Sequence, residues 1–356
     1  MTVVNTTTTP SFRLNYSGWC NPWSGYGKAN INWLVALDKI TGGGASMEWE
    51  RRKKKNDPGL WKDLTKEQRR VITKRFTKEK IGVIQATPPQ FNEISNDFKV
   101  GMTMVENTQV CKDWISQCNK MNHLFVPNHQ LIPIFKDSGL TIPCTAVREG
   151  MNPDQHKFIQ RKQGDVFTFL ILGWMDDRKN WQDAVRAFTS EFAPHEPVRL
   201  LIKNSNPAYG STVPNDPRIK IIDHNITPEE LDLLYGMSDC LLFVTRGEGS
   251  GLPPREAMAT GLPVILTDWL GTAEISDPRY NYPIKPIALD YPDWRPEQPG
   301  FMARFDVAEI MYWMRHVYEN WDEAMAKGKL ASEWMAKDWT WEACANEMLV
   351  QLKEMV

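Results

Sequence analysis

The sequence predicts an α/β protein made of two domains with doubly wound, Rossmann-like sheets. Apolar runs of strand length alternate with amphipathic helical patterns, as in parallel sheets covered by helices. At 356 residues the chain is longer than one core usually serves, so it divides. A third observation points to the site: between Cys240 and Leu266 two buried-strand patterns flank a glycine-rich loop and a short helix. In doubly wound sheets, ligands sit at such strand ends.

That unit is TRGEGSGLPPREAMATG, from Thr245 to Gly261. Cys240–Val244 before it and Pro263–Leu266 after it read as buried strands. Proline in a first turn and Gly261 as a terminator predict a helix over about 254–260. Gly247, Gly249 and Gly251 let a backbone approach a ligand closely. Unpaired N–H groups at a helix N-terminus suit phosphate. Glu248 and Glu256, with seven residues between them, repel phosphate but accept hydrogen bonds from hydroxyls. Phosphates flanked by hydroxyl-rich groups describe a nucleotide sugar.

The run EGSGLPPREAMATGLPVI resembles the E-x7-E signature of retaining glycosyltransferases of family 4, which have the GT-B fold, two Rossmann-like doubly wound domains facing a central cleft. The resemblance extends to IKIIDHNITPEELDLLYGMSDCLLFVTRGEG before it and TDWLGTAEI after it. It implies that Glu256 holds the donor ribose, that Glu248 accepts from the transferred sugar, and that backbone N–H groups of Ser250, Gly251 and Leu252 face the distal phosphate. It implies a UDP- or GDP-sugar donor, metal-independent chemistry without a cofactor, and same-face attack in which the leaving phosphate takes the acceptor's proton. Gly173-Trp174-Met175-Asp176-Asp177-Arg178-Lys179 resembles the family's phosphate-binding G-R-x-x-x-x-K element, with Lys179 matching and Trp174 standing at the arginine. Arg178 or Arg246 is then the candidate for the missing cation.

In chain order, Arg13–Ser17 reads as the first strand, and Trp23–Gly27 as a turn into a helix ended by Gly42–Gly44. The resemblance lays Gly25 and Gly27 against the donor diphosphate. Residues 47–80 read as a basic insertion. Ile81–Gln85 and Val100–Val105 are strands, the second ending at Glu106, a candidate for contacting sugar or acceptor. A helix over 110–121 and a strand from His123 follow, completing an acceptor-side domain over 1–158. The nucleotide-sugar domain, 159–335, contains strands Val166–Gly173, Val198–Lys203 and Ile219–Ile222. Gly173 and Lys203 fall at the carboxyl edge of its sheet with Thr245 and Asp268. From Phe301 the chain reads as helical, and a last helix within 336–356 is expected to cross back onto the first domain.

Composition is that of a globular enzyme, with 42% hydrophobic and 24% charged residues. No run of 18 apolar residues predicts a membrane span. The opening MTVVNTTTTPSF lacks the features of a signal peptide. Six cysteines without C-x-x-C spacing and six scattered histidines predict reduced thiols and no metal site, as in a cytoplasmic protein, free or peripheral to a membrane or nucleic acid. The net charge of −2 hides a split: residues 1–150 hold 21 Lys+Arg against 13 Asp+Glu. Arg51, Arg52, Lys53, Lys54 and Lys55, with Trp49 and Trp61, point to an anionic acceptor or to a solvated charged face. The acceptors that fit are DNA carrying a hydroxylated base, or a lipid-linked or polysaccharide acceptor at an acidic membrane. Two alternatives stand beside this: a nucleotide-sugar-binding protein without catalysis, and a nucleic-acid-binding protein using 51–80.

Overall fold

A computed structural model describes residues 11–22, 24–48, 63–74, 77–205, 213–291 and 299–356. Trp23, Trp49, Trp61 and the Arg51–Lys55 run lie outside the described residues.

Among the described residues the first sheet has six parallel strands: β1 (Leu14–Gly18), β2 (Ala45–Met47), β3 (Ile81–Gln85), β4 (Phe98–Met102), β5 (His123–Val126) and β6 (Cys144–Ala146). Their order is β2-β1-β3-β4-β5-β6. β1 is fully buried although its sequence is LNYSG, and the side chains of Asn15 and Tyr16 are paired there. The Asn15 amide donates to Ser46 Oγ at 2.9 Å and to the Thr77 carbonyl at 2.8 Å, and its oxygen accepts from Asn96 at 2.7 Å. The strand expected over Val100–Val105 instead ends at Met102, and the chain then carries Met104 and Glu106 into the cleft. Around this sheet lie α1 (Gly25–Ile40), α2 (Lys66–Ile72), α3 (Lys112–Cys118) and α4 (Leu131–Asp137).

The second sheet, again among the described residues, has six parallel strands: β7 (Phe167–Gly173), β8 (Val198–Asn204), β9 (Ile219–Ile222), β10 (Cys240–Phe243), β11 (Val264–Thr267) and β12 (Tyr282–Ile284). The order β12-β11-β10-β7-β8-β9 places the reversal of strand direction of growth between β7 and β10. The crevice at such a reversal is where doubly wound sheets bind ligands. One face is covered by α5 (Trp181–Glu191) and α8 (Val307–Glu319), the other by α6 (Pro228–Gly236), α7 (Leu252–Ala259) and α9 (Trp321–Asp338).

The helical reading from Phe301 is corrected. Met302–Arg304 is a strand, β14, paired antiparallel with β13 (Ala288–Asp290). The helix begins at Val307, where the Asp306 carboxylate accepts from the Ala308 N–H at 2.9 Å.

The last helix, α10 (Trp341–Glu354), lies on the first domain. Trp341, Cys344, Ala345, Met348 and Leu352 enter the same core as Trp33 and Leu37 of α1. Trp33 and Trp341 meet edge to face with ring centroids 5.2 Å apart. Trp341→Ala should cost about 3–5 kcal/mol through the cavity it leaves. Urea unfolding followed by tryptophan fluorescence should show an early transition of the first domain.

Candidate active site

The site grows from the loop between β10 and α7. Gly251 has φ +84° and caps α7, which therefore starts at Leu252, two residues before the expected Pro254. Gly247 and Gly249 also lie against the first domain. A Cβ on Gly247 would lie 1.9 Å from the Glu106 carbonyl oxygen, and one on Gly249 would lie 2.4 Å from Met104 Sδ. What comes close to these glycines is the backbone and side chain of the first domain. Asn128 of the first domain fastens the loop by donating to the Gly249 carbonyl at 2.8 Å.

Glu248 rises from this loop into a pair of cations. Arg178 Nη1 lies 2.7 Å and Lys179 Nζ 2.6 Å from Glu248 Oε1. Both cations come from one 3-10 turn, Asp177–Lys179, which Asp176 caps by accepting from the Lys179 N–H at 3.1 Å. Asn180, at φ 53°, reverses the chain into α5 and donates to the Val244 carbonyl at 3.1 Å, tying the turn to the end of β10. Gly173, at φ +144°, leaves room for the Lys179 stem: a Cβ there would lie 3.2 Å from Lys179 Cε. Burial works to raise the Glu248 pKa, yet Arg178 and Lys179 outweigh it and hold the carboxyl below its usual range. Burial pushes the Lys179 pKa down against the pull of Glu248. Arg178 is held firmly charged against burial by Glu106 and Glu248, with Glu106 Oε1 at 3.4 Å.

Arg178 is thus the cation beside Lys179, and Arg246 is not. The Arg246 guanidinium pairs with Asp177 at 2.5 Å and donates to the Ala303 carbonyl at 3.1 Å, away from Glu248. Trp174 is 54% exposed and lines the cleft without a charge to offer.

Glu256 sits one helix away on α7 and is buried. Lys28 Nζ lies 2.5 Å from its Oε1, the Tyr235 hydroxyl donates to Oε2 at 3.0 Å, and His156 Nε2 is 3.7 Å from Oε1. Burial opposes ionisation, but Lys28 and His156 bring the pKa down to about 2. Between the glutamates, Ser250 Oγ accepts from the buried Arg255 Nη1 at 3.0 Å. Burial raises the Glu149 pKa, and Gln85 donates to this carboxyl at 2.7 Å.

Both glutamates, Arg178, Lys179, Lys28 and Glu149 line one cleft of about 730 Å³ between the domains. Gly25, Gly173, Lys203, Ser250, Gly251 and Leu252 line it with the two glutamates, the two cations and Glu106. Lys203 turns its ammonium to the Asn204 carbonyl at 3.0 Å. Gly27 does not line it: a Cβ there would lie 2.1 Å from the Asn21 carbonyl oxygen, so this glycine serves the turn itself.

Residues 166–286 match the family model described as glycosyl transferases group 1. Over 164 residues the chain is 27% identical to the serotype-specific mannosyltransferase WbdA of Escherichia coli, covering 44% of this chain. It spans about a fifth (20%) of that relative's length. Sucrose-phosphate synthase from Thermosynechococcus elongatus superposes with a TM-score of 0.70 at 14% identity, covering 97% of this chain and 99% of that one. Anabaena Alr3699/HepE, solved in complex with UDP and glucose, gives 0.70 at 10% identity, covering 96% and 100%. The fold is GT-B. Its second domain carries the group 1 glycosyl transferase match.

The sequence reading missed Lys28 and Glu149, which line this cleft, and Tyr235, His156 and Arg255, which stand behind it on Glu256 and Ser250. One signal was available for Lys28, since it is the one cation between Arg13 and Lys39 and follows the Gly25–Gly27 turn. No group of three or more His, Cys, Asp or Glu residues is arranged to hold a metal among the described residues, and no described helix is long and apolar enough to cross a membrane.

The Glu256 shift predicts a pH dependence. Its folded pKa of about 2 lies below the ordinary value of 4.5, so it contributes stability that is present above about pH 5 and is lost as pH falls through 2. That contribution is roughly 3 kcal/mol at neutral pH. Glu256→Gln should therefore unfold at lower urea than the parent at pH 7, and the gap should narrow by pH 3.

Proposed function

We propose that the protein is a retaining glycosyltransferase that moves a sugar from a nucleotide-diphosphate sugar to an acceptor hydroxyl. The observation that carries this reading is the Glu248–Arg178–Lys179 cluster, set in one cleft with the ionised Glu256. The group 1 match over residues 166–286 and the UDP and glucose named with HepE support it.

In this reading Glu256 accepts from the ribose hydroxyls and Glu248 from hydroxyls of the transferred sugar. Arg178 and Lys179 pass from Glu248 toward the diphosphate and stabilise the charge that develops as it leaves. The N–H groups at the start of α7 add to that stabilisation. Glu248, held by two cations, is a poor base and nucleophile, which fits attack from the leaving-group face with the departing phosphate taking the proton. Arg178 supplies the charge that Trp174 lacks, and this favours an active enzyme over a binding protein without catalysis.

A thermal-shift screen of UDP-, GDP- and ADP-sugars should find one donor class that raises the melting point. With that donor, Lys179→Ala should lower kcat on the order of 100-fold. Activity should survive EDTA; strict dependence on magnesium or manganese would overturn side-chain neutralisation of the leaving group. Radiolabelled donor that binds without transfer or hydrolysis would leave binding as the function.

For the acceptor we propose an anionic surface, DNA or an acidic membrane or glycan, on the charge of residues 51–80, which hold 13 basic and 4 acidic residues. Neutralising Arg51–Lys55 together should weaken acceptor binding and flatten its salt dependence. Filter retention of DNA against sedimentation with anionic vesicles tells the two acceptors apart, and an unchanged salt slope would remove both.

A further inference from the structure

Lys28 has no part in the assignment above, yet it is a first-domain cation that pairs with a site carboxylate of the second domain. It stands in the first turn of α1, whose start Ser24 caps by accepting from the Gly27 N–H at 3.1 Å. Its ammonium crosses the cleft to Glu256 Oε1 at 2.5 Å and keeps 22% of its side chain exposed. Among the described residues Glu256 is its one ion-pair partner. An ammonium has three N–H donors, so two remain to face the cleft that Lys28 lines.

The carboxylate at the other end has capacity to spare as well. A carboxylate offers about four lone-pair positions. Lys28 takes one on Oε1 and the Tyr235 hydroxyl takes one on Oε2 at 3.0 Å. His156, at 3.7 Å, is itself held by Asp232 at 2.7 Å. Two positions remain, enough for a vicinal diol. The carboxylate is thus set by α1 of the first domain, by the segment between the domains, and by α6 and α7 of the second.

We propose that Lys28 is a donor-binding residue contributed by the first domain, keeping Glu256 as one partner and giving its remaining N–H groups to the oxygens of a nucleoside diphosphate. This rests on the glycosyltransferase reading and adds the first domain's share in holding the nucleotide end of the donor. The ligand's negative charge then meets a cation whose position Glu256 already fixes, so little side-chain ordering is left to be done on binding.

The test uses the full chain and titrates UDP and GDP calorimetrically into the parent, Lys28→Met, Lys28→Arg, Glu256→Gln and the Lys28→Met/Glu256→Gln double variant. Lys28→Met should weaken the nucleoside diphosphate that the parent binds by about tenfold or more, as for a lost charged hydrogen bond. Lys28→Arg should recover most of that loss. The matching uncharged nucleoside should lose less than the diphosphate, and the two single losses should fail to add in the double variant, because the residues act together. In turnover, donor KM should rise while kcat at saturating donor holds. Should Lys28→Met fail to fold, Lys28→Gln takes its place. A parent that binds UDP or GDP beside a Lys28→Met protein that binds it equally well or more tightly overturns the proposal, the second result marking Lys28 as a competitor of the donor. A parent that binds neither nucleotide removes the UDP- or GDP-sugar donor, and this inference with it.

Discussion

The burial of a negative charge at Glu248 is the constraint on which the rest of the cleft depends. An isolated carboxylate at that depth costs several kcal/mol and survives as an ion only if its partners are fixed in place. The structure fixes them through the backbone. Asp176 caps the turn that carries Arg178 and Lys179, Asn180 in the left-handed region locks that turn to the end of β10, and Gly173 clears the space for the Lys179 stem. Arg178 in turn reaches Glu106, so a charge requirement inside the second domain sets where the first must stand. Glu256 repeats the arrangement at the other end of the loop, with Lys28 as the cation from across the cleft.

Contact between the domains also explains the glycine spacing. Gly247 and Gly249 lie where Glu106 and Met104 press against the loop, and a side chain at either would push the domains apart. These two glycines thus give clearance to protein, and Gly249 lines the open cleft as well, with Gly25, Gly251 and Leu252.

This sorts what was legible in the sequence from what was not. The two sheets were legible because parallel strands buried on both faces are nearly continuous apolar runs, as in Phe167–Gly173 and Cys240–Phe243. Both glutamates were legible from their fixed spacing around a helix start. Partner choice was not: Arg178 and Arg246 look alike in sequence, and only the path of the 3-10 turn sends one to Glu248 and the other to Asp177. Lys28, His156 and Tyr235 meet Glu256 from separations of 228, 100 and 21 residues, which no local pattern encodes. The ribbon of β13 and β14 was missed because three-residue strands carry too little periodicity to separate from the helix that follows.

The chain passes between the domains twice, once after β6 and again between α9 and α10. The two passages are bonded to each other: the Met151 N–H donates to the Trp339 carbonyl at 2.7 Å, and the Trp341 N–H to the Met151 carbonyl at 3.3 Å. Gly150 lets them touch, since a Cβ there would meet the Trp341 backbone at 2.6 Å. The contact is a single parallel bridge, Met151 beside Thr340, so the two crossings of the chain are fastened to each other at one point and neither shifts along the other without breaking both bonds.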